Sequence, residues 1–466
     1  MMYISLEAAS METKKTNQHR SRCLFGTDGV RDIANSGSMT PEMALRLGRA
    51  YVMFLVQRGT PRPTIVVGRD TRRSGKMLES ALVAGMMSAG ADVILLGVVP
   101  TPAVSYGVLY FKAHGGAVIS ASHNPPEYNG IKFLSGEGQK LLDSEEIEIE
   151  DYLGGDMIDE WRPSGASIGK MVAEEGFSQV YADRVLQVLD GDRLAGMRVV
   201  FDCANGAAST IIPLLINKLE CECYLIGDKP DGLNINEKNG VMHLDSLITA
   251  VRKHDADIGI AYDGDADRVL LVDHRGDVIN GDVILWVLAR WLQREGILGS
   301  GVVATVMSNG KLENHLRKEG IQVFRCAVGD RYVLDMMKST ASGLGGEQSG
   351  HVIIDHYVRT GDGLCTGFAF LRACRELGEV PETLVERFSP FPQKLTNITV
   401  SDRDKVMSDE KLKSAIEQSN RELGSKGRVF LRPSGTEPLI RLLVECDDAK
   451  TLDLLTERYT SLIRSL

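Results

Sequence analysis

The stretch TIVVGRDTRRSGKMLESALVAGMMSAGADVILL, Thr64 to Leu96, decides the fold. Its opening run Thr64-Ile-Val-Val-Gly68 is short and β-branched, which predicts a strand. Lys76 to Ala89 carries apolar residues at helical spacing, and Asp92-Val-Ile-Leu-Leu96 predicts a second strand. Pro100-Thr-Pro102 then reads as a break, followed by a helix near Ala103 to Ala113 and a strand at Gly116-Ala-Val-Ile-Ser120. Strands alternating with helices build α/β layers. The same rhythm restarts near Arg198-Val-Val-Phe-Asp202 and again near Gly301-Val-Val-Ala-Thr305, so three α/β units are expected. Two prolines in Phe388-Ser-Pro-Phe-Pro-Gln393 end the pattern, and a smaller α+β segment follows. The stretch from Asp156 to Gly176, with Trp161 and Pro163, reads as the connection between the first two units. The expected domains are a disordered tail over 1–21, α/β domains over 22–173, 174–276 and 277–390, and a small C-terminal domain over 391–466.

Composition narrows the function classes. The 466 residues are 43% hydrophobic and 25% charged, as in ordinary globular proteins, and carry a net charge of −10. That sign argues against a nucleic-acid partner held by the overall field, so an anionic ligand needs a local basic pocket. No apolar run approaches the ~18 residues of a membrane span, and the polar N-terminus lacks the apolar core of a signal peptide. The eight cysteines show no CxxC spacing and suggest a reducing compartment, with the cytoplasm as the expected location.

Four loops carry chemistry. Ser120-Ala-Ser-His-Asn-Pro125 follows a strand, at the sheet edge where α/β proteins bind ligands, although an isolated turn of this kind is more often only a turn. In Asp263-Gly-Asp-Ala-Asp-Arg268, three carboxylates at alternate positions can converge on one hard cation, and an oxygen-only set suits Mg²⁺. In Gly345-Gly-Glu-Gln-Ser-Gly-His351, Glu347 and Ser349 suit vicinal hydroxyls of a sugar. In Arg432-Pro-Ser-Gly-Thr-Glu-Pro438, Ser434, Gly435 and Thr436 offer donors to a phosphate, and Arg432 and Arg441 supply charge and fork geometry. Gly68-Arg-Asp-Thr-Arg72 is expected to brace the serine loop through Arg69 and Asp70, and Lys132 lies close enough in the chain to return to it. Together these loops describe a phosphoryl-transfer site, where positioning and charge neutralisation do most of the work.

From about Leu24 onward the chain resembles the α-D-phosphohexomutases, on the four loops in order, the opening Phe25-Gly-Thr-Asp-Gly-Val-Arg31, and Gln348 in place of a common Met. The resemblance implies three similar α/β domains with mixed sheets and a smaller fourth around a central cleft. It makes Ser122 the phosphoserine and also a ligand, with Asp263, Asp265 and Asp267, of one Mg²⁺ per chain. Ser122 would pass its phosphoryl group to glucosamine 6-phosphate and recover one from glucosamine 1,6-bisphosphate, leaving glucosamine 1-phosphate for UDP-N-acetylglucosamine and peptidoglycan synthesis. Arg432, Ser434, Gly435, Thr436 and Arg441 would hold the resting phosphate, and Glu347 and Ser349 the sugar. Lys132, Arg31 and His351 are the candidates for acid/base or charge-stabilising roles. A small sugar phosphate is the expected partner of a monomer or homodimer. Action on neutral hexose phosphates, or hydrolysis by a Mg²⁺-dependent sugar phosphatase, are the alternatives. Three departures stand out: Asp32 where the family usually has Gly, Pro125-Pro-Glu-Tyr-Asn129 after the serine loop, and Ala266 where it usually has Gly. Asp32 is expected to add charge at the cleft, and Ala266 to keep its loop out of the left-handed region.

Overall fold

The computed structural model describes residues 24–26, 28–155, 157–433 and 439–466. The tail over 1–21, Thr27 of the opening motif, and Ser434, Gly435 and Thr436 lie outside the described residues. Four sheets follow one another along the chain. In the first, the order is Val30–Ile33, Tyr128–Ser135, Gly115–Ile119, Thr64–Arg69, Asp92–Val98 and Met171–Ala173. Its four last-named strands run parallel, while Tyr128–Ser135 is antiparallel to both of its neighbours.

The second sheet repeats this plan. Arg198–Asp202 lies parallel to Glu222–Ile226 and Ile258–Tyr262, and Val269–Asp273 returns antiparallel. The third places Val302–Thr305 parallel to Val323–Cys326 and Leu344–Gly346, with Val352–Ile354 returning antiparallel. In each sheet the chain therefore leaves the end of a parallel strand and turns straight back beside it. The three turns are the serine loop, the three-aspartate loop and the Glu347 loop. The fourth sheet, Gln393–Thr399, Leu439–Cys446 and Gly427–Pro433, is entirely antiparallel, with helices Glu410–Leu423 and Ala449–Arg464.

Apolar burial joins the first three units more closely than the fourth. One continuous core runs from Val66 and Phe177 through Phe201 and Tyr262 to Trp291, Phe368 and Phe388. The fourth unit packs on its own cluster, including Ile398, Leu442, Val444 and Tyr459. Its link to the third is polar: Asn309 exchanges two hydrogen bonds with the backbone of Phe391, and Glu445 accepts from the Gly310 amide at 3.0 Å.

Local details depart from the sequence reading. The Pro100-Thr-Pro102 stretch opens a helix, Thr101–Tyr110, because proline in the first turn has no intrahelical amide bond to lose. The helix expected from Lys76 starts earlier, at Arg73, where Asp70 accepts from the preceding Arg72 amide at 2.9 Å. The expected connection after Asp156 is also structural: Met171–Ala173 adds the edge strand of the first sheet, and the Trp161 indole donates to the Ala89 carbonyl at 3.0 Å.

Candidate active site

The strand Gly115–Ile119 is buried along its whole length and delivers Ser122 to a site where 1% of the residue is exposed. Ser122 has φ +51°, a left-handed conformation that costs a non-glycine residue about 1–2 kcal/mol. The surroundings hold it there. Its amide donates to Ser120 Oγ at 2.9 Å, and its carbonyl accepts from Arg72 at 3.0 Å and Asn236 at 2.9 Å. Ser120 Oγ in turn donates to Asp70 Oδ2 at 2.7 Å, and the Arg72 Nε–Asp70 pair, at 2.9 Å, is fully buried. Asp70 thus braces the loop, but its partner is Arg72. Arg69 ends the strand Thr64–Arg69 and pairs instead with Glu79 at 3.3 Å.

Ser122 Oγ donates to Asp263 Oδ2 at 2.6 Å, across the boundary between the first two sheets. The close approach needs Gly264, where a Cβ would lie 2.6 Å from the Ser122 carbonyl oxygen. Asp263, Asp265 and Asp267 are all buried, and one carboxylate oxygen from each lies within 4.8 Å of the others. Burial, then the charges of Asp267 and Asp265, push the Asp263 carboxyl well above its ordinary range. For Asp267, burial is outweighed by His351, Lys132 and Arg268, which hold it below that range. The second oxygens of Asp265 and Asp267 are buried without a hydrogen-bond partner. Three converging carboxylates with orphaned oxygens fit a hard divalent cation, which supplies the missing positive charge.

The residue between the last two aspartates corrects an expectation. Ala266 adopts φ +54°, inside the left-handed region. Its amide donates to the Asp263 carbonyl at 3.1 Å, its carbonyl accepts from Gly363 at 3.0 Å, and its methyl is fully buried in the main core. Those contacts outweigh a backbone penalty of about 1–2 kcal/mol. Asp32 keeps its charge: its carboxylate accepts from the Ser38 and Ile33 amides at 2.9 and 2.8 Å, bonds that tie its own turn and hold its pKa below the ordinary carboxylate value.

Basic groups surround the aspartates. Lys132 is 2% exposed and reaches Asp265 at 3.1 Å and Asp28 at 2.9 Å. Burial lowers its pKa, but Asp265 and Asp28 outweigh it and keep the ammonium above its ordinary value. Arg31 pairs with Asp28 at 2.5 Å and donates to Asn124 Oδ1 at 3.1 Å. His351 Nδ1 lies 3.7 Å from Asp267, and its buried Nε2 has no hydrogen-bond partner. His123 Nδ1 sits 3.3 Å from both Ser122 Oγ and an Arg268 nitrogen; burial and the charges of Arg268 and Arg31 lower its pKa to about 4.

The Glu347 loop supplies a polar face. Glu347 accepts from the Gly329 amide at 3.0 Å and from Ser349 Oγ at 3.1 Å, with Ser349 exposed. In the fourth unit, Arg432 and Arg441 stand directly opposite each other on neighbouring strands. The Nε atoms of both are buried without a partner, and burial together with Arg441 lowers the Arg432 pKa. Two adjacent guanidinium groups with no bonded carboxylate among the described residues form a basic pair suited to a phosphate.

Several residues here escaped the sequence reading. Thr101 donates to Asp265 at 2.6 Å, Asp28 binds Arg31, Lys132 and Lys140, and Asp330 of the third unit also takes Lys140. Asp28 lay inside the quoted opening motif and was the most accessible of them. Thr101 and Asp330 carry no local signal, because their partners lie more than a hundred residues away.

Comparison with known proteins agrees with this architecture. Four family models of phosphoglucomutase/phosphomannomutase match: alpha/beta/alpha domain I over 22–156, domain II over 179–276, domain III over 280–391 and the C-terminal domain over 395–460. A phosphoglucosamine mutase of Bacillus pumilus is 43% identical, covering 94% of this chain and 98% of that protein. One of Moorella thermoacetica is 46% identical, covering 92% and 96%. A Burkholderia thailandensis phosphoglucomutase/phosphomannomutase family protein has a crystal structure with TM-score 0.80 at 25% identity, covering 94% of this chain and 97% of that one. The Aspergillus fumigatus N-acetylphosphoglucosamine mutase, solved with GlcNAc-6P and magnesium, shares the fold with TM-score 0.69 at 17% identity, covering 98% of each chain. The chain belongs to the phosphoglucomutase/phosphomannomutase family.

Proposed function

We propose that this chain interconverts glucosamine 6-phosphate and glucosamine 1-phosphate through a phosphorylated Ser122 and a glucosamine 1,6-bisphosphate intermediate. The observation that carries the reading is the position of Ser122 Oγ, 2.6 Å from Asp263 in a buried three-aspartate cluster. The fourth unit also offers an arginine pair for a second phosphate. Full-length relatives at 43–46% identity are phosphoglucosamine mutases, which supports the amino sugar as substrate.

The residues divide the work as follows. The sugar's O1 attacks the phosphorus on Ser122 as its proton leaves to a nearby base, the P–Oγ bond breaks, and the serine oxygen takes up a proton. The sugar diphosphate turns over within the cleft. Ser122 Oγ then attacks the phosphorus on O6: its own proton passes to a base, the P–O6 bond breaks and O6 takes up a proton. Lys132, held protonated by Asp265 and Asp28, and Arg31 stabilise charge on the phosphoryl oxygens. His351, whose Nε2 makes no hydrogen bond and lies 3.9 Å from Asp330, suits proton transfer. Arg432 and Arg441 hold the resting phosphate, and Glu347 and Ser349 orient the sugar hydroxyls. Asp263, Asp265 and Asp267, with a Ser122 oxygen, would hold one Mg²⁺, which when bound neutralises charge on the phosphoryl group.

The reading is tested by peptide mass spectrometry of the purified enzyme and assay of Ser122→Ala. Phosphate on Ser122 and loss of turnover to background are expected. An unphosphorylated serine with a fully active alanine variant would exclude the mechanism. A kcat/KM higher for neutral hexose phosphates than for glucosamine 6-phosphate would reassign the substrate.

A further inference from the structure

Gln348 stands between Glu347 and Ser349, yet its amide is turned inward: Nε2 donates to Asp282 Oδ2 at 2.9 Å. Asp282 is fully buried in the first turn of the helix Gly281–Arg294. That helix abuts the loop. The Gly281 amide donates to the Gln348 carbonyl at 3.0 Å, and a Cβ at Gly281 would lie 1.9 Å from the Glu347 carbonyl oxygen.

The same Asp282 oxygen accepts a second bond, from the Asn309 amide at 2.9 Å. Asn309 begins the joint to the fourth unit, grasping the Phe391 backbone with both ends of its amide. The next residue, Gly310, donates to Glu445, which pairs with Arg428 at 2.8 Å. Arg428 and Glu445 are opposite one another on the two strands that carry Arg432 and Arg441. One carboxylate oxygen therefore bonds both the Gln348 loop and the Asn309 amide, from which the chain of bonds runs on through Gly310 and Glu445 to the strands of the arginine pair.

We propose that Asp282 is a positioning residue: it sets the Glu347–Ser349 loop and the Arg432–Arg441 pair at a fixed spacing, so that sugar hydroxyls and the resting phosphate are gripped together. The inference rests on the sugar-phosphate reading above. It gives Gln348 a role through Asp282 and the loop backbone, not through a sugar contact. Burial pushes the Asp282 carboxyl up to about 6, the cost of keeping an acceptor here for two donors.

The test compares Gln348→Leu, Asp282→Asn and the double variant in steady-state assays with glucosamine 6-phosphate, and in thermal shift with inorganic phosphate. Gln348 is only half-buried, so its variant retains the fold even if the Asp282 variant does not. Losing or weakening a hydrogen bond to a charged acceptor predicts KM raised about tenfold in each single variant, with kcat changed less. The double variant is expected to be no worse than the poorer single one, since both break one path. Phosphate should also stabilise each variant less than the wild type, although neither side chain contacts the arginine pair. A purely structural Asp282 would lower the melting temperature and leave KM and the phosphate shift of Gln348→Leu unchanged. That outcome, or multiplying effects in the double variant, overturns the proposal. A wild type without mutase activity overturns the functional reading instead, and the phosphate arm still decides the coupling.

Discussion

At the Ser122 end of the molecule three buried carboxylates are set among Lys132, Arg268 and His351, whereas at the Arg432–Arg441 end two guanidinium groups face each other with no carboxylate bonded to either among the described residues. The first cluster forms where strands of the first three sheets end, over a core those units share. The second lies on a three-stranded sheet with a core of its own, tied to the rest by polar contacts at Asn309, Gly310 and Phe391. On the proposed function, the difference separates two tasks. A reacting phosphoryl group needs fixed charges that do not rearrange as bonds change. A resting phosphate needs only charge and donors, and the arginines' mutual repulsion is relieved when the anion arrives.

The largest test of that contrast acts on the buried cluster. Asp263→Asn should lower kcat on the order of 10²- to 10³-fold, and chelation of divalent cations should abolish turnover until Mg²⁺ is restored. A variant or chelated enzyme with unchanged kcat breaks the reading of the cluster.

An intermediate effect is expected at the other end. Arg441→Gln should raise KM about 10- to 100-fold, the loss of one charge-assisted contact to phosphate, while the unliganded melting temperature holds or rises because a like-charge pair is relieved. A marked fall in melting temperature would show that the pair already has a counter-charge and would remove the contrast.

The smallest effect sharpens the account of the metal loop. Ala266→Gly relieves a left-handed alanine but removes a buried methyl and frees the unfolded chain, so the terms oppose. Urea unfolding should show a change below about 1 kcal/mol. A stabilisation above about 2 kcal/mol would mean that the surrounding bonds hold the loop less firmly than inferred.

The readable and unreadable parts of this protein differ by range. The strand–helix rhythm around Thr64–Leu96, the three-aspartate loop and the arginine-bearing turn are local patterns, set by periodicity and by residue types at short spacing. They sufficed for the α/β class and the choice of loops. The sequence also exposed Asp70 as a brace but named Arg69 as its partner in that role; the structure pairs Asp70 with Arg72 and turns Arg69, at the end of its strand, toward Glu79.

By itself, then, the sequence determined which loops have the donor types, charges and turn residues proposed for the chemistry, because those are written locally. Only the tertiary structure decided that three of those loops are equivalent returns at the ends of parallel strands. It alone brought Ser122 Oγ to Asp263 and turned Gln348 inward to Asp282. It also decided the left-handed angles of Ser122 and Ala266, which bonds to distant residues impose against local preference. The physical reason is common to all of these. A backbone strain or a buried charge persists only when contacts from elsewhere in the chain over-determine it, and such contacts leave no mark on neighbouring residues.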